Sequence, residues 1–376
     1  MNPKDRHVVL LCIDGAGVEY FKHSNMRIFR EIRKEGVYIE DAKAMVPTVT
    51  NVNNVSIITG VYPALHGIFT NCYWDRKRRE EIYMEDQSYI KTQTVFEKLS
   101  SNSLDSAILT SKDKLLTLLN RGAKIALSAE KPPKWITNKI GEPPNIYSSE
   151  VNKWLLDAAL WILTHIDLPF IYIATTDYAM HKYPPESSEA KEHMIMLDEG
   201  IESMIDRFPD TLICITADHG MSDKKYAVDL SEHLRMKGVD SISIPTVKDR
   251  YIPHHSNLSG SAFIYIDSSR DIEAARTKLI DCEGVEAVLT RDEASEKFHL
   301  PREAIGDFFV LGKKDYVFGY LGGDVVKDVN IRSHGSLHEI NIPILIYGLD
   351  GLAKELKENR EVINAILPYI EGYDRL

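Results

Sequence analysis

"HVVLLCID", residues 7–14, is an almost uninterrupted apolar run that ends on an acid. A short run of this kind, bounded by turn residues, reads as a strand buried on both faces. Gly15-Ala16-Gly17 supplies the turn. The pattern recurs in "FIYIATTD" (170–177), "TLICITAD" (211–218) and "IPILIYG" (342–348), and "SAILTSKDK" (106–114) is a strand running into a polar loop. Between these runs lie amphipathic stretches with helical spacing, such as "EVNKWLLDAALWILTHI" and "HMIMLDEGIESMIDRF". Buried strands alternating with helices predict an α/β fold, a mostly parallel sheet with helices on both faces.

The texture changes between about 225 and 330. Strand (261–267), helix (271–281), strand (285–290), short helix (291–298) and two strands (306–312, 315–320) predict a compact α+β unit. The expected organisation is a core over 1–224, an α+β cap subdomain over 225–330, and the end of the core over 331–376. A chain of 376 residues, 44% hydrophobic and 27% charged, is long enough for this core and insertion.

Forty-five basic against 56 acidic side chains leave a net charge of −11. That disfavours nucleic acid or an anionic membrane surface as partner. An anionic ligand would need positive charge concentrated locally, by metal or a few lysines. Cys12, Cys72, Cys214 and Cys282 form no C-x-x-C pair and suit a reducing compartment. The N-terminal stretch enters a strand at once, without the pattern of a signal peptide. The apolar stretch 155–176 contains Asp157, His165, Asp167 and Pro169, and reads as helix plus strand, not as a membrane span. The expectation is a soluble cytoplasmic protein.

In open parallel sheets, ligands bind at the carboxyl ends of the strands. Here those ends are rich in chemistry. The first run ends on Asp14, the third on Asp177 with His181 four residues later, and the fourth on Asp218-His219. His334 lies just upstream of the last strand. Singly, each of these is ordinary: an acid after a strand is commonly a turn former or helix cap. Together they supply three carboxylates and three imidazoles, a donor set suited to zinc, with manganese or iron as the other candidates. Six ligands approach the need of two ions.

"VPTVTNVNNVSIITGVYPALHGI" (46–68) places Thr48, Thr50, Asn51, Asn53 and Asn54 at the start of a predicted helix over 51–59, stopped by Gly60. A helix N-terminus attracts phosphate-like anions. A hydroxyl there, beside a metal, becomes a nucleophile; plain N-capping is the competing reading of Thr50. Asn71 is placed to donate an amide hydrogen bond to a phosphoryl oxygen.

"VVLLCIDG", the 46–68 stretch, "TTDYAMHKYPP", "TADHGM" and "RSHG" resemble, in order, the metal and nucleophile motifs of the alkaline phosphatase superfamily, in its nucleotide pyrophosphatase/phosphodiesterase branch. Within that branch, "TNVNNVSIITG", "GIFTNCYWD", "TSKDKLLTLL", "TTDYAMHKYPP" and "LTRDEASEKFHLPREAIGD" are similar to phosphonoacetate hydrolases across nearly the whole chain. The resemblance implies an alkaline-phosphatase-like core and two divalent ions, zinc foremost. One would be held by Asp177, His181 and His334, the other by Asp14, Asp218, His219 and the oxygen of Thr50. It implies Thr50 as nucleophile, Asn71 on the phosphoryl oxygens, and Lys112 and Lys114 on the substrate carboxylate. The implied reaction is hydrolysis of the carbon–phosphorus bond of phosphonoacetate, through a phosphothreonine, to acetate and phosphate. The partner is then a small anionic phosphonate or phosphoester, and a homodimer is an assembly the resemblance leaves open.

Some positions depart from the pattern. Ser336 stands where a second glycine is expected, and His338 is a rival ligand ranked below His334. A basic side chain from "RYIPHHSNLSG" (250–260) is expected at the substrate, with Arg250, His254 and His255 as candidates. The alternative is a phosphodiesterase or nucleotide pyrophosphatase on the same core, with Tyr73 and Trp74 offered as a nucleoside slot. A cofactor-independent phosphoglycerate mutase is a further relative, disfavoured by the threonine and the chain length. A non-catalytic phosphate- or metal-binding protein should have lost a ligand, and none of the seven is missing.

Overall fold

The computed structural model describes residues 7–250, 256–348 and 355–372. His254 and His255 lie outside them. The five expected strands form at Val8–Cys12, Ser106–Thr110, Phe170–Ala174, Leu212–Thr216 and Asn341–Tyr347. Val37–Lys43 and Ile125–Ser128 complete a seven-stranded sheet. Across the sheet the order is Val37–Lys43, Asn341–Tyr347, Leu212–Thr216, Val8–Cys12, Phe170–Ala174, Ser106–Thr110, Ile125–Ser128. The fold is α/β, as the alternation predicts.

Three features of this sheet position everything that follows. The strands Leu212–Thr216, Val8–Cys12 and Phe170–Ala174 are adjacent, parallel and in register, Cys12 lying opposite both Thr216 and Ala174. They therefore end level with one another, one strand spacing apart. Each is buried along its whole length, which is why it reads as a continuous apolar run rather than an alternation. The last strand, Asn341–Tyr347, runs antiparallel to Leu212–Thr216. Its amino end thus sits at the carboxyl end of its neighbours, so a residue upstream of it reaches the same rim.

The 225–330 region contains the expected elements at Ser261–Ile266, Ile272–Ile280, Val285–Thr290, Arg291–Phe298, Phe308–Gly312 and Tyr316–Phe318. Three of its strands join Ser241–Pro245 in a four-stranded antiparallel sheet. A three-stranded sheet joins Ser222–Val228 to Tyr316–Phe318 and Val326–Ser333, and so crosses the expected boundary at 224.

That crossing point is fastened by a buried ion pair. Lys224 Nζ meets Glu339 Oε1 at 2.9 Å, both side chains fully buried. Glu339 also accepts from the side chains of Ser222 and Ser336, and its carbonyl accepts from the Gly220 amide at 2.7 Å. Burial by itself would raise the Glu339 carboxyl, but Lys224 and the two serines outweigh it and hold it below its usual range. Removing one partner strands the other charge. Lys224→Met is expected to cost about 3–5 kcal/mol, read from urea unfolding. Because the folded carboxyl is depressed, its contribution is present above the unfolded value near 4.3 and fades as pH falls through the folded one. Glu339→Gln should flatten that acid limb.

Candidate metal centre and active site

The three level strand ends bring their acids together. Asp14, Asp177 and Asp218 are all buried, two, three and two residues beyond Cys12, Ala174 and Thr216. The turns are tied to one another: the Asp14 amide donates to Thr175 Oγ1 at 2.9 Å, and the Gly15 amide to Asp218 Oδ1 at 3.0 Å. Asp177 precedes the helix Tyr178–Lys182 but makes no side-chain cap. Its carboxylate instead lies 3.0 Å from His181 Nε2 on the next turn.

Two groups of potential ligands result, Asp177–His181–His334 and Asp14–Asp218–His219, all buried, the ligand atoms of each within 4.8 Å of one another. The two groups adjoin, since the rings of His219 and His334 stack with centroids 3.7 Å apart. The division matches the ligand sets the resemblance implies.

The hydrogen bonds of the imidazoles show what this arrangement suits. Nδ1 of His181 meets the carbonyl of Arg332 at 2.8 Å, that of His219 the carbonyl of Gly220 at 2.9 Å, and that of His334 the carbonyl of Thr48 at 2.7 Å. A carbonyl only accepts, so each Nδ1 carries a proton, and in the neutral ring Nε2 then presents a lone pair. Metal-binding histidines are oriented in this way. His334 is pushed well below its usual value by burial, then by His219 and His181, so it stays neutral. Asp14 is pushed well up by burial, then by Asp177 and Asp218, and its Oδ1 has no hydrogen-bond donor among the described residues. Crowded buried carboxylates interleaved with neutral imidazole lone pairs are the donor chemistry of divalent cations. The residues fit two of them.

Thr50 opens the helix Thr50–Thr59, ended by Gly60 in the left-handed conformation (φ 75°). It is not the N-cap: Val49 holds that place, without a side-chain bond. The Thr50 hydroxyl instead faces the candidate ligand groups, 3.3 Å from His219 Nε2. Its polar neighbours act as bolts. Asn53 ties the helix to both backbone groups of Met45. Asn54 donates to Asp218 Oδ2 at 3.4 Å and accepts from Tyr172. Thr48 donates to the Ser336 carbonyl. Ser336, in place of the expected glycine, caps its turn by accepting from the His338 amide at 3.1 Å.

A small cavity of about 30 Å³ is lined by Asp14, Thr50, Asn71, Lys112, Lys114, Asp177 and His334, together with Ser111, Thr175 and Asp249. Lys112 Nζ lies 3.1 Å from Asp177 Oδ1. Burial would lower this ammonium, yet Asp177 and Asp14 outweigh it and raise it, so the lysine is charged. Lys114 is paired with Asp249. Asp14, Thr50, Asn71, Lys112, Lys114, Asp177, His181, Asp218, His219 and His334 thus each belong to one of the two ligand groups or to this cavity. His338 belongs to neither and pairs with Glu286 at 2.7 Å. Arg250 lies over the Tyr83 ring, 4.3 Å from its centroid. Tyr73 and Trp74 line a different pocket, with Phe69 and Tyr265. Asp249 is the residue that sequence reasoning missed.

The model of the type I phosphodiesterase / nucleotide pyrophosphatase family matches residues 8–337. The chain belongs to that family. A venom phosphodiesterase of Naja atra is 24% identical over 57% of the chain, and the Xenopus laevis bis(5'-adenosyl)-triphosphatase enpp4 is 33% identical over 23% of it. The chain spans about a quarter or less of these curated relatives' length (26% and 19%). Among solved structures, phosphonoacetate hydrolase from Sinorhizobium meliloti 1021, in complex with phosphonoacetate, superposes with a TM-score of 0.88 at 26% identity, covering 98% of this chain and 96% of that one. Murine ectonucleotide pyrophosphatase/phosphodiesterase 5 shares the fold, with a TM-score of 0.71 at 15% identity over 97% and 95% of the two chains.

Ions that bind only the folded site add to its stability, by about 2.7 kcal/mol at a hundredfold excess over Kd. Exhaustive chelation should therefore lower the melting temperature, and divalent metal should restore it. An identical melt in both states would show that the carboxylates are not serving ions.

Proposed function

We propose that this chain is a metal-dependent phosphonoacetate hydrolase, cleaving the carbon–phosphorus bond to give acetate and phosphate. The observation that supports this most is the lining of the cavity: Thr50, members of both ligand groups and two lysines face one space, so a hydroxyl for phosphorus and ammonium groups for a carboxylate stand together. Next to it stands the 0.88 superposition on a phosphonoacetate-bound enzyme. Asp177, His181 and His334 would hold one ion, and Asp14, Asp218, His219 and Thr50 the other, with zinc best suited to the mixed N/O set. Bound, the cations would lower the pKa of the threonine hydroxyl and neutralise charge at phosphorus.

Asn71 and the start of the helix Thr50–Thr59 receive the phosphonate oxygens. The Thr50 hydroxyl loses its proton to solvent and its oxygen bonds to phosphorus. The carbon–phosphorus bond breaks, and its electron pair passes to carbon and on into the carboxylate as an enolate. Lys112 and Lys114 stabilise that charge, and the carbon then takes up a proton to become acetate. Water hydrolyses the phosphothreonine and regenerates Thr50. We read residues 225–330 as a cap, on the ground that Val247 and Asp249 reach the cavity. Four buried free cysteines support a cytoplasmic setting. No helix among the described residues is long and apolar enough to cross a membrane.

Phosphate release from phosphonoacetate, an aryl phosphodiester and a dinucleotide, each with and without zinc, tests the assignment. Phosphonoacetate should be the preferred substrate and zinc should raise its rate; a preference for the dinucleotide would favour the phosphodiesterase reading. Thr50→Ala should abolish turnover, by at least about a thousandfold, while the variant still binds metal through its remaining ligands. Near wild-type phosphate release would remove Thr50 as nucleophile. Lys114→Ala should reduce kcat/KM for phosphonoacetate far more than for an aryl phosphate ester, whose leaving group has no carboxylate to anchor. Equal losses would contradict the carboxylate role.

A further inference from the structure

Asp249 comes from the inserted region, four residues beyond the strand Ser241–Pro245, and faces Lys114 across the cavity. The two side chains form an ion pair, with Asp249 only 6% and Lys114 20% exposed. The backbone of Asp249 is clamped in turn. Its amide donates to Asn257 Oδ1 at 2.9 Å, and its carbonyl accepts from Asn257 Nδ2 at 3.2 Å. The residues on either side are anchored on the hairpin Cys72–Tyr83, Lys248 by pairing with Glu81 and Arg250 by its place over Tyr83. A carboxylate so placed is not a surface partner of convenience.

We infer that Asp249 is a positioning residue for substrate recognition: it fixes Lys114 so that the ammonium meets the carboxylate of the phosphonate. This deepens the hydrolase reading and rests on it. An ammonium has three N–H donors. One held by Asp249 leaves two for substrate, and a long flexible stem that is already ordered loses less freedom on binding. The arrangement has a charge logic as well. An anion facing the cavity repels an incoming carboxylate unless a cation stands between them, and Lys114 is that cation. Beyond it lies an outer pocket of about 290 Å³, which shares Lys112, Lys114 and Asp249 with the cavity and adds Glu85, Glu130 and Tyr147. Without Asp249, Lys114 is free to swing out to those acids, away from substrate.

The test compares the metal-loaded wild type with Asp249→Asn. It uses the kinetics of phosphonoacetate cleavage and of an aryl phosphate ester, and the inhibition constant of phosphonoformate against the ester. Asp249→Asn should raise KM for phosphonoacetate and Ki for phosphonoformate about tenfold, with kcat within about threefold and a several-fold smaller loss on the ester. Asp249→Glu, which keeps the charge, should recover part of the loss. Asn257→Ala, which unclamps the Asp249 backbone, should move KM in the same direction by less. An unchanged KM, a lower KM, or equal losses on both substrates would overturn the inference, the lower value marking Asp249 as a competitor of the substrate. If the wild type hydrolyses the ester but leaves phosphonoacetate intact, the functional reading fails by itself. The phosphonoformate constants then still decide whether Asp249 positions Lys114 for a carboxylate.

Discussion

Three carboxyl groups buried within one small site must either take up protons or share that site with positive charge. In this fold they have no choice about their positions. Adjacent parallel strands in register end side by side, and each ends on an acid. The antiparallel last strand then brings His334 to the same rim, and the helix after Asp177 brings His181 back one turn later. The gathering of these candidate cation ligands is thus a consequence of sheet topology and of which residue follows each strand. The backbone carbonyls that take the Nδ1 protons complete the design by leaving all three Nε2 lone pairs available.

The place of the Thr50 hydroxyl follows from the same constraint. Thr50 escapes a capping role because Val49 occupies the cap, and the buried asparagines at 51, 53 and 54 fix the helix from within. Asn54 in particular joins the helix to Asp218 and Tyr172. Lys112 and Lys114 line the same cavity as the hydroxyl. The aromatic residues after Asn71 serve another pocket.

Much of this was legible in the sequence because buried parallel strands announce themselves as apolar runs, and the acids at their ends are conspicuous. Val37–Lys43 was not, since "VYIEDAK" mixes polar residues into an antiparallel position next to the sheet's last strand. Ile125–Ser128 is too short to stand out. The convergence of Asp14, Asp177 and Asp218 was inferred from a rule about sheets, and their separation into two groups came from the family resemblance. Asp249 was invisible, because nothing in "TVKDRY" marks an acid that crosses to a lysine 135 residues earlier. The same holds for Lys224 and Glu339, whose partnership joins segments 115 residues apart. Local patterns report burial and turns; they do not report which distant charges meet.

Acids and imidazoles from four segments are arranged to hold a pair of cations around one hydroxyl. Calorimetric titration of the metal-free protein with zinc, alongside His334→Ala and His219→Ala, tests it most directly. The account predicts two ions per chain in the wild type, with a different one of the two sites weakened in each variant. A single ion, or a stoichiometry and affinity indifferent to both substitutions, would contradict it.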